Sequence, residues 1–265
     1  MDNRPIGVFD SGMGGLTAVR RMRELLPDEQ IIYFGDTGRV PYGTRSNETI
    51  IKYTRQDVAF LKSFDIKAIV VACGTVSSVA LETVSRETEV PMIGVVWPAC
   101  AKALAATRNG KIGVIGTPGT IRSDSYARML RAARPDIEVI SRPCPLFVPL
   151  VENGRVHCGD IVIETVVAEY LTELRDAGVD TLILGCTHYP LLEEVIGAFM
   201  GPDVALIDPG AAAAENIRSM LVPADGPGGV RYFVSDDPAF FDSLAPVFLR
   251  GTPESKAELV EIAAY

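Results

Sequence analysis

Short runs rich in Val and Ile alternate with longer stretches of helical spacing along this 265-residue chain, and the alternation runs through twice. In the first round Ile6–Asp10, Ile31–Gly35, Ala68–Cys73 and Met92–Val96 read as buried strands, with helices over Gly15–Leu26, Ser46–Phe64 and Val76–Glu87. After Trp97-Pro98 the pattern restarts. Lys111–Gly116, Glu138–Pro143, Thr181–Cys186 and Ala205–Asp208 read as strands, separated by helices near Ser123–Ala133, Gly159–Ala177 and Leu191–Met200. Such alternation means an α/β fold with mainly parallel sheets. Ile6-Gly-Val-Phe-Asp-Ser-Gly also resembles Ile112-Gly-Val-Ile-Gly-Thr-Pro in type and position. Two α/β domains related by a pseudo-twofold, with an active site in the cleft between them, account for the repetition. The tail, helical over Ala211–Leu221 and a strand over Val230–Ser235, is expected to return to the first domain. The expected domains are therefore 1–97 with 209–265, and 98–208.

The repeat carries chemistry at one matched position. Ala72-Cys73-Gly74-Thr75 and Gly185-Cys186-Thr187-His188 each end an apolar run on a cysteine, 113 residues apart. Two thiols at strand ends, one from each half, could face each other across the cleft. That is the geometry for removing a proton from one side of a carbon and returning it from the other. A free thiol is mostly protonated at neutral pH. A helix starting just beyond the sulfur is expected to lower its pKa. Cys100, Cys144 and Cys158 have no such placement and read as small hydrophobes.

Composition narrows the remaining choices. A formal charge of −9, from 25 basic and 34 acidic side chains, argues against nucleic acid or an anionic membrane as the main partner. The N-terminus has no basic and apolar leader, so a cytoplasmic address is expected. The apolar stretch Val90 to Ala106 is interrupted by Pro91, Pro98 and Lys102 and does not suit a membrane span. Five scattered cysteines make no disulfide framework. With two histidines and no Cys-x-x-Cys, no metal is expected.

Other residues gather at the same strand ends. Asp10-Ser11-Gly12 closes the first strand, where an open α/β sheet binds ligands, and Asp10 could accept an ammonium group or polarise a thiol. The segment lacks the Gly-x-Gly-x-x-Gly spacing of a dinucleotide fingerprint. Pro41-Tyr42-Gly43 offers backbone N–H donors for a carboxylate, and Gly116-Thr117-Pro118-Gly119-Thr120 does the same in the second half, with Thr120 the expected contact. His188, two residues after Cys186, could hold a proton near that thiol or bind a carboxylate as a cation. Glu152 is expected in a loop; exposed surface and a catalytic role are equally open for it.

These segments, with Phe9-Asp10-Ser11-Gly12, Gly35-Asp36-Thr37, Cys144-Pro145-Leu146-Phe147-Val148-Pro149 and Ile207-Asp208-Pro209, make the chain similar to the glutamate racemases of the cofactor-independent aspartate/glutamate racemase family. The motifs run in order from residue 6 to about 210. The resemblance implies interconversion of L- and D-glutamate without pyridoxal phosphate or another cofactor, supplying D-glutamate to peptidoglycan. It implies that Cys73 takes the proton from the D-isomer with Asp10 assisting, and Cys186 from the L-isomer with His188 and Glu152 assisting. It further implies that Ser11, Pro41, Tyr42, Gly43, Gly74, Thr75, Thr120, Thr187 and His188 hold the substrate, and that the chain can form a homodimer. The family usually carries Asn where this chain has Gly74, and Ala where it has Val76. Three other readings stay open from the residues: an aspartate or hydantoin racemase, a thiol redox protein, and a non-catalytic amino-acid-binding module.

Overall fold

A computed structural model describes residues 1–265. The first round of elements is β1 (Ile6–Asp10), α1 (Leu16–Leu25), β2 (Gln30–Gly35), α2 (Asn47–Lys62), β3 (Ala68–Val71), α3 (Gly74–Val79), α4 (Leu81–Val84), β4 (Met92–Gly94) and α5 (Val96–Ala106). The second is β5 (Lys111–Gly116), α6 (Pro118–Ser123), α7 (Ser125–Ala133), β6 (Glu138–Pro143), α8 (Phe147–Glu152), α9 (Ile161–Asp176), β7 (Thr181–Leu184), α10 (Glu193–Met200) and β8 (Ala205–Ile207). The tail adds α11 (Pro209–Met220), β9 (Gly229–Val234), α12 (Pro238–Leu249) and β10 (Ala257–Leu259).

The strands form two parallel sheets, ordered β10-β9-β2-β1-β3-β4 and β6-β5-β7-β8. Without the tail strands the first sheet is β2-β1-β3-β4, the same order as the second. Register repeats as well: Ile6 pairs with Ala68 across β1 and β3, and Ile112 with Thr181 across β5 and β7. The resemblance of Ile6-Gly-Val to Ile112-Gly-Val thus marks the equivalent strand of each sheet. In this order the chain first winds one way from β1 to β2 and then the other way to β3. The carboxyl ends of β1 and β3 therefore flank a topological switch point, the usual ligand crevice of an open α/β sheet. The second sheet puts β5 and β7 in the same relation.

Local chemistry sets the helix starts. Thr117, Asp208 and Asp237 each accept a backbone N–H from the first turn of α6, α11 and α12, and each is followed by proline. That pairing suits a first turn, where N–H groups lack intrahelical partners. The stretch expected as one helix over Val76–Glu87 is broken at Ala80 into α3, α4 and a 3₁₀ turn, Ser85–Glu87. The main core, 42 buried residues, runs from Ile6 and Tyr33 through Ile115 and Leu182 to Phe248, so both sheets share apolar interior. No helix is long and apolar enough to cross a membrane.

Candidate active site

One cavity of about 340 Å³ opens between the sheets, and four strand ends supply its walls. Ser11 and Gly12 come from β1, Cys73 and Gly74 from β3, Thr117 and Pro118 from β5, and Gly185 to His188 from β7. The Pro41–Thr44 turn and Glu152 with Pro149 and Val148 complete the lining. No Arg or Lys lines it.

Cys73 is the N-cap residue of α3 and is buried. Its Sγ donates to the Ser11 hydroxyl at 3.4 Å. Burial, reinforced by the Asp10 charge, pushes this thiol up to about 12, against hydrogen bonds from Ser11 and the Val76 backbone. The helix start that was expected to lower it is outweighed, because desolvation penalises the thiolate more than one helix end rewards it. Asp10 lies behind the wall rather than in it. Its Oδ2 accepts from Gly12 N at 3.2 Å and Gly15 N at 3.0 Å, while Oδ1 is buried without a partner. Burial raises the Asp10 pKa, with the nearby His188 charge opposing. The carboxyl group therefore both ties its own turn and keeps one oxygen free.

The opposite face is built differently. β7 ends at Leu184, and Cys186 sits in the following turn with Sγ 4.0 Å from His188 Nδ1. His188 Nε2 lies 3.0 Å from Glu152 Oε1, and its ring meets Phe248 of α12 edge-on at 5.3 Å. Glu152, expected in a loop, ends the short helix α8. Burial would depress His188, but its bonds to Cys186 and Glu152 prevail and raise it from 6.5 to about 10. A raised folded pKa contributes stability that is complete below about 6.5 and lost as pH rises through about 10. Thermal stability should therefore fall over that window in the wild type, and the His188→Gln variant should lack that part of the slope. Parallel melting-temperature profiles for the two proteins would count against the protonated histidine.

The halves meet through small residues and hydroxyls. A Cβ on Gly14 would lie 2.3 Å from Thr187 Oγ1 and 2.5 Å from His188 Nδ1, so only glycine lets this segment pack against α1's start. Thr17 Oγ1 donates to the Thr187 carbonyl at 3.0 Å. Thr75 Oγ1 is 2.9 Å from Thr117 Oγ1 and 3.4 Å from Thr120 Oγ1. Thr120, the expected contact, stands behind Thr117 and outside the cavity wall, where Thr117 takes its place. The sequence did carry that signal: aligning the two Ile-Gly-Val segments sets Thr117 opposite Ser11. That alignment also sets Gly116 opposite Asp10, and aligning the two cysteine segments sets His188 opposite Thr75, so each half has one ionisable partner for its thiol at a different position. Pro41, Tyr42 and Gly43 all reach the wall, but the Tyr42 hydroxyl points away, hydrogen-bonded to Asp36 and Asp57.

The sequence profile of the Asp/Glu/Hydantoin racemase family matches residues 6–217. A glutamate racemase of Geobacter metallireducens is 47% identical, over 94% of this chain and 93% of its own. The glutamate racemase isoform RacE1 of Bacillus anthracis superposes with a TM-score of 0.93 at 37% identity, covering 98% of both chains. The glutamate racemase of Francisella tularensis, solved with D-glutamate, superposes with a TM-score of 0.90 at 42% identity over 100% of both. With its paired strand-end cysteines and repeated sheet order, the chain belongs to the Asp/Glu/Hydantoin racemase family.

Proposed function

We propose that this protein interconverts L- and D-glutamate by moving a proton between two thiols, without a cofactor, and so supplies D-glutamate for peptidoglycan. The observation that carries the reading is the placement of Cys73 and Cys186, from equivalent strand ends of two sheets, in the wall of one cavity. Glutamate racemases close in sequence and fold, one of them binding D-glutamate, support the choice of substrate.

From D-glutamate, the Cys73 thiolate takes the α-proton as the C–H bond breaks, and the electron pair delocalises into the α-carboxylate. The Cys186 S–H then protonates the opposite face, giving L-glutamate; the reverse direction starts at Cys186. One proton has passed from Cys186 to Cys73, and the assistants restore the start. Asp10 takes up the proton at Cys73, the His188 imidazolium, held by Glu152, returns one to Cys186, and water then removes the proton from Asp10 and supplies one to His188. The entering α-ammonium favours the Cys73 thiolate by adding positive charge beside it. With no Arg or Lys in the wall, the carboxylates rest on N–H groups and hydroxyls, among them Ser11, Tyr42, Gly43, Gly74, Thr75 and Thr187. Fixed donors of this kind stabilise developing negative charge most when water is excluded. Two domains, 1–97 with 209–265 and 98–208, would supply that exclusion by closing; their separate sheets support the division.

The test is to follow optical rotation and α-deuterium in heavy water from each glutamate enantiomer, with aspartate alongside. Inversion of glutamate with deuterium entering the product is expected, and much slower inversion of aspartate. No inversion of glutamate, or inversion only when pyridoxal phosphate is added, would overturn the reading.

A further inference from the structure

Behind the Pro41–Gly43 turn lies an ionic cluster whose charged members, Asp36, Arg39 and Asp57, stand outside the cavity wall. β2 runs out at Gly35, and Asp36 just beyond it is fully buried. The buried stripe of α2, Ile50, Thr54, Asp57, Val58 and Leu61, sets Asp57 against the same spot, also fully buried. Arg39 bridges them, with Nε 2.6 Å from Asp36 Oδ2 and Nη2 2.9 Å from Asp57 Oδ1. Its guanidinium also stacks on the Tyr53 ring, 4.1 Å from the centroid. The Tyr42 hydroxyl donates to Asp36 and, at 3.2 Å, to Asp57. Ser235, beyond β9, donates to the other oxygen of Asp36 at 2.7 Å.

Two buried carboxylates sharing one guanidinium are a poor way to stabilise a fold, since desolvation cancels most of their attraction. Burial and then the Asp36 charge push Asp57 well above the usual carboxylate range, with Arg39 opposing. What such a cluster can fix is position. Each of its bonds bears on the segment from Asp36 to Tyr42, and the next residue, Gly43, stands between the cavity and the second half, where a Cβ would lie 2.9 Å from Thr117 Cβ.

We propose that Asp57 and Arg39 are positioning residues for the reaction: through the Tyr42 hydroxyl they clamp the turn whose backbone receives the substrate carboxylate. The inference rests on the amino-acid racemase reading given above. The two enantiomers have equal free energy in water, so any substitution changes kcat/KM by the same factor in both directions. The informative quantity is the split between KM and kcat.

Steady-state kinetics of Asp57→Asn, Arg39→Lys and Tyr42→Phe supply it. Tyr42→Phe keeps the ring in place and removes only the clamp's hydroxyl, so it decides the matter if Asp57→Asn fails to fold. A rise in KM of about tenfold, with kcat within about threefold of wild type, is expected for each folded variant, because the turn binds ground and transition states alike. Arg39→Lys retains the charge and lacks the bidentate fork, and should not restore KM. Unchanged KM in Tyr42→Phe, or a fall in kcat alone, overturns the proposal. Ratios are taken on whichever of glutamate or aspartate the wild type inverts, so wild-type inactivity toward glutamate counts against the substrate and not against the clamp.

Discussion

Replacing either Cys73 or Cys186 with alanine is expected to lower racemisation by about 10³-fold or more, since each substitution removes the only acid–base group on one face of the α-carbon. The loss must be equal in the two directions, because an equilibrium constant of one ties the two values of kcat/KM together. The asymmetry of the site should appear in exchange instead. With Cys73 gone, Cys186 can still take the α-proton of L-glutamate and give it back on the same side, so deuterium should enter L-glutamate without inversion while D-glutamate stays protonated. Cys186→Ala should give the mirror result. Loss of fold is not a competing explanation at this magnitude, because removing one buried sulfur costs about 1 kcal/mol. Circular dichroism and melting temperature check that directly. A single-cysteine variant that racemises within tenfold of wild type, or exchange from both enantiomers in one variant, would exclude the two-thiol mechanism.

The meeting of Cys73 and Cys186 in one cavity wall is legible in the sequence because the sequence repeats its strands. The strands of a parallel sheet are buried on both sides and so read as continuous apolar runs with sharp ends. The cysteines stand just past those ends. His188 follows from lying two residues after Cys186, and Asp10 from closing the first strand. What stayed hidden has two physical causes. The first is proline. From the sequence no helix is expected directly after Trp97-Pro98 and Glu152 is expected in a loop, yet Pro98 and Pro149 are each the third residue of a helix, α5 and α8. The first four N–H groups of a helix need no intrahelical partner, so a proline there breaks nothing. The tail helix α12 was missed although Asp237-Pro238 is the same capped start as Asp208-Pro209. The second cause is that pairings between distant elements leave little local mark. Asp57 is a carboxylate at a core position of α2, a visible anomaly whose partners, Arg39 and Tyr42, only the fold identifies. Thr117 replaces Thr120 for a similar reason: α6 turns Thr120 inward toward Thr75.

Converting Gly74 to the family's usual asparagine is expected to slow this protein, by about 10²-fold in kcat, rather than improve it. A Cβ at residue 74 would lie 2.4 Å from the Gly185 carbonyl oxygen, closer than carbon and oxygen can approach without contact. Both partners are backbone, so no flexible side chain can yield, and the two segments must separate. Cys73 and Cys186 are their immediate neighbours in the chain, which makes the gap between thiols the quantity that changes. An added amide could hydrogen-bond a substrate carboxylate, worth about 1.5–3 kcal/mol. Most of that would bind substrate and transition state equally and would lower KM without raising kcat. Misplacing one thiol by about 1 Å costs roughly 10²-fold in the chemical step, about 2.7 kcal/mol. Gly74→Ala separates the two effects, carrying the Cβ without the amide. Both variants should lose kcat together, and only Gly74→Asn should show a lower KM. Overpacking of about 1–3 kcal/mol should also lower the melting temperature of each by several degrees. If Gly74→Asn matches or exceeds the wild-type kcat, the Gly185 turn yields without moving Cys186, and the close approach of the two backbones is not what sets the distance between the thiols.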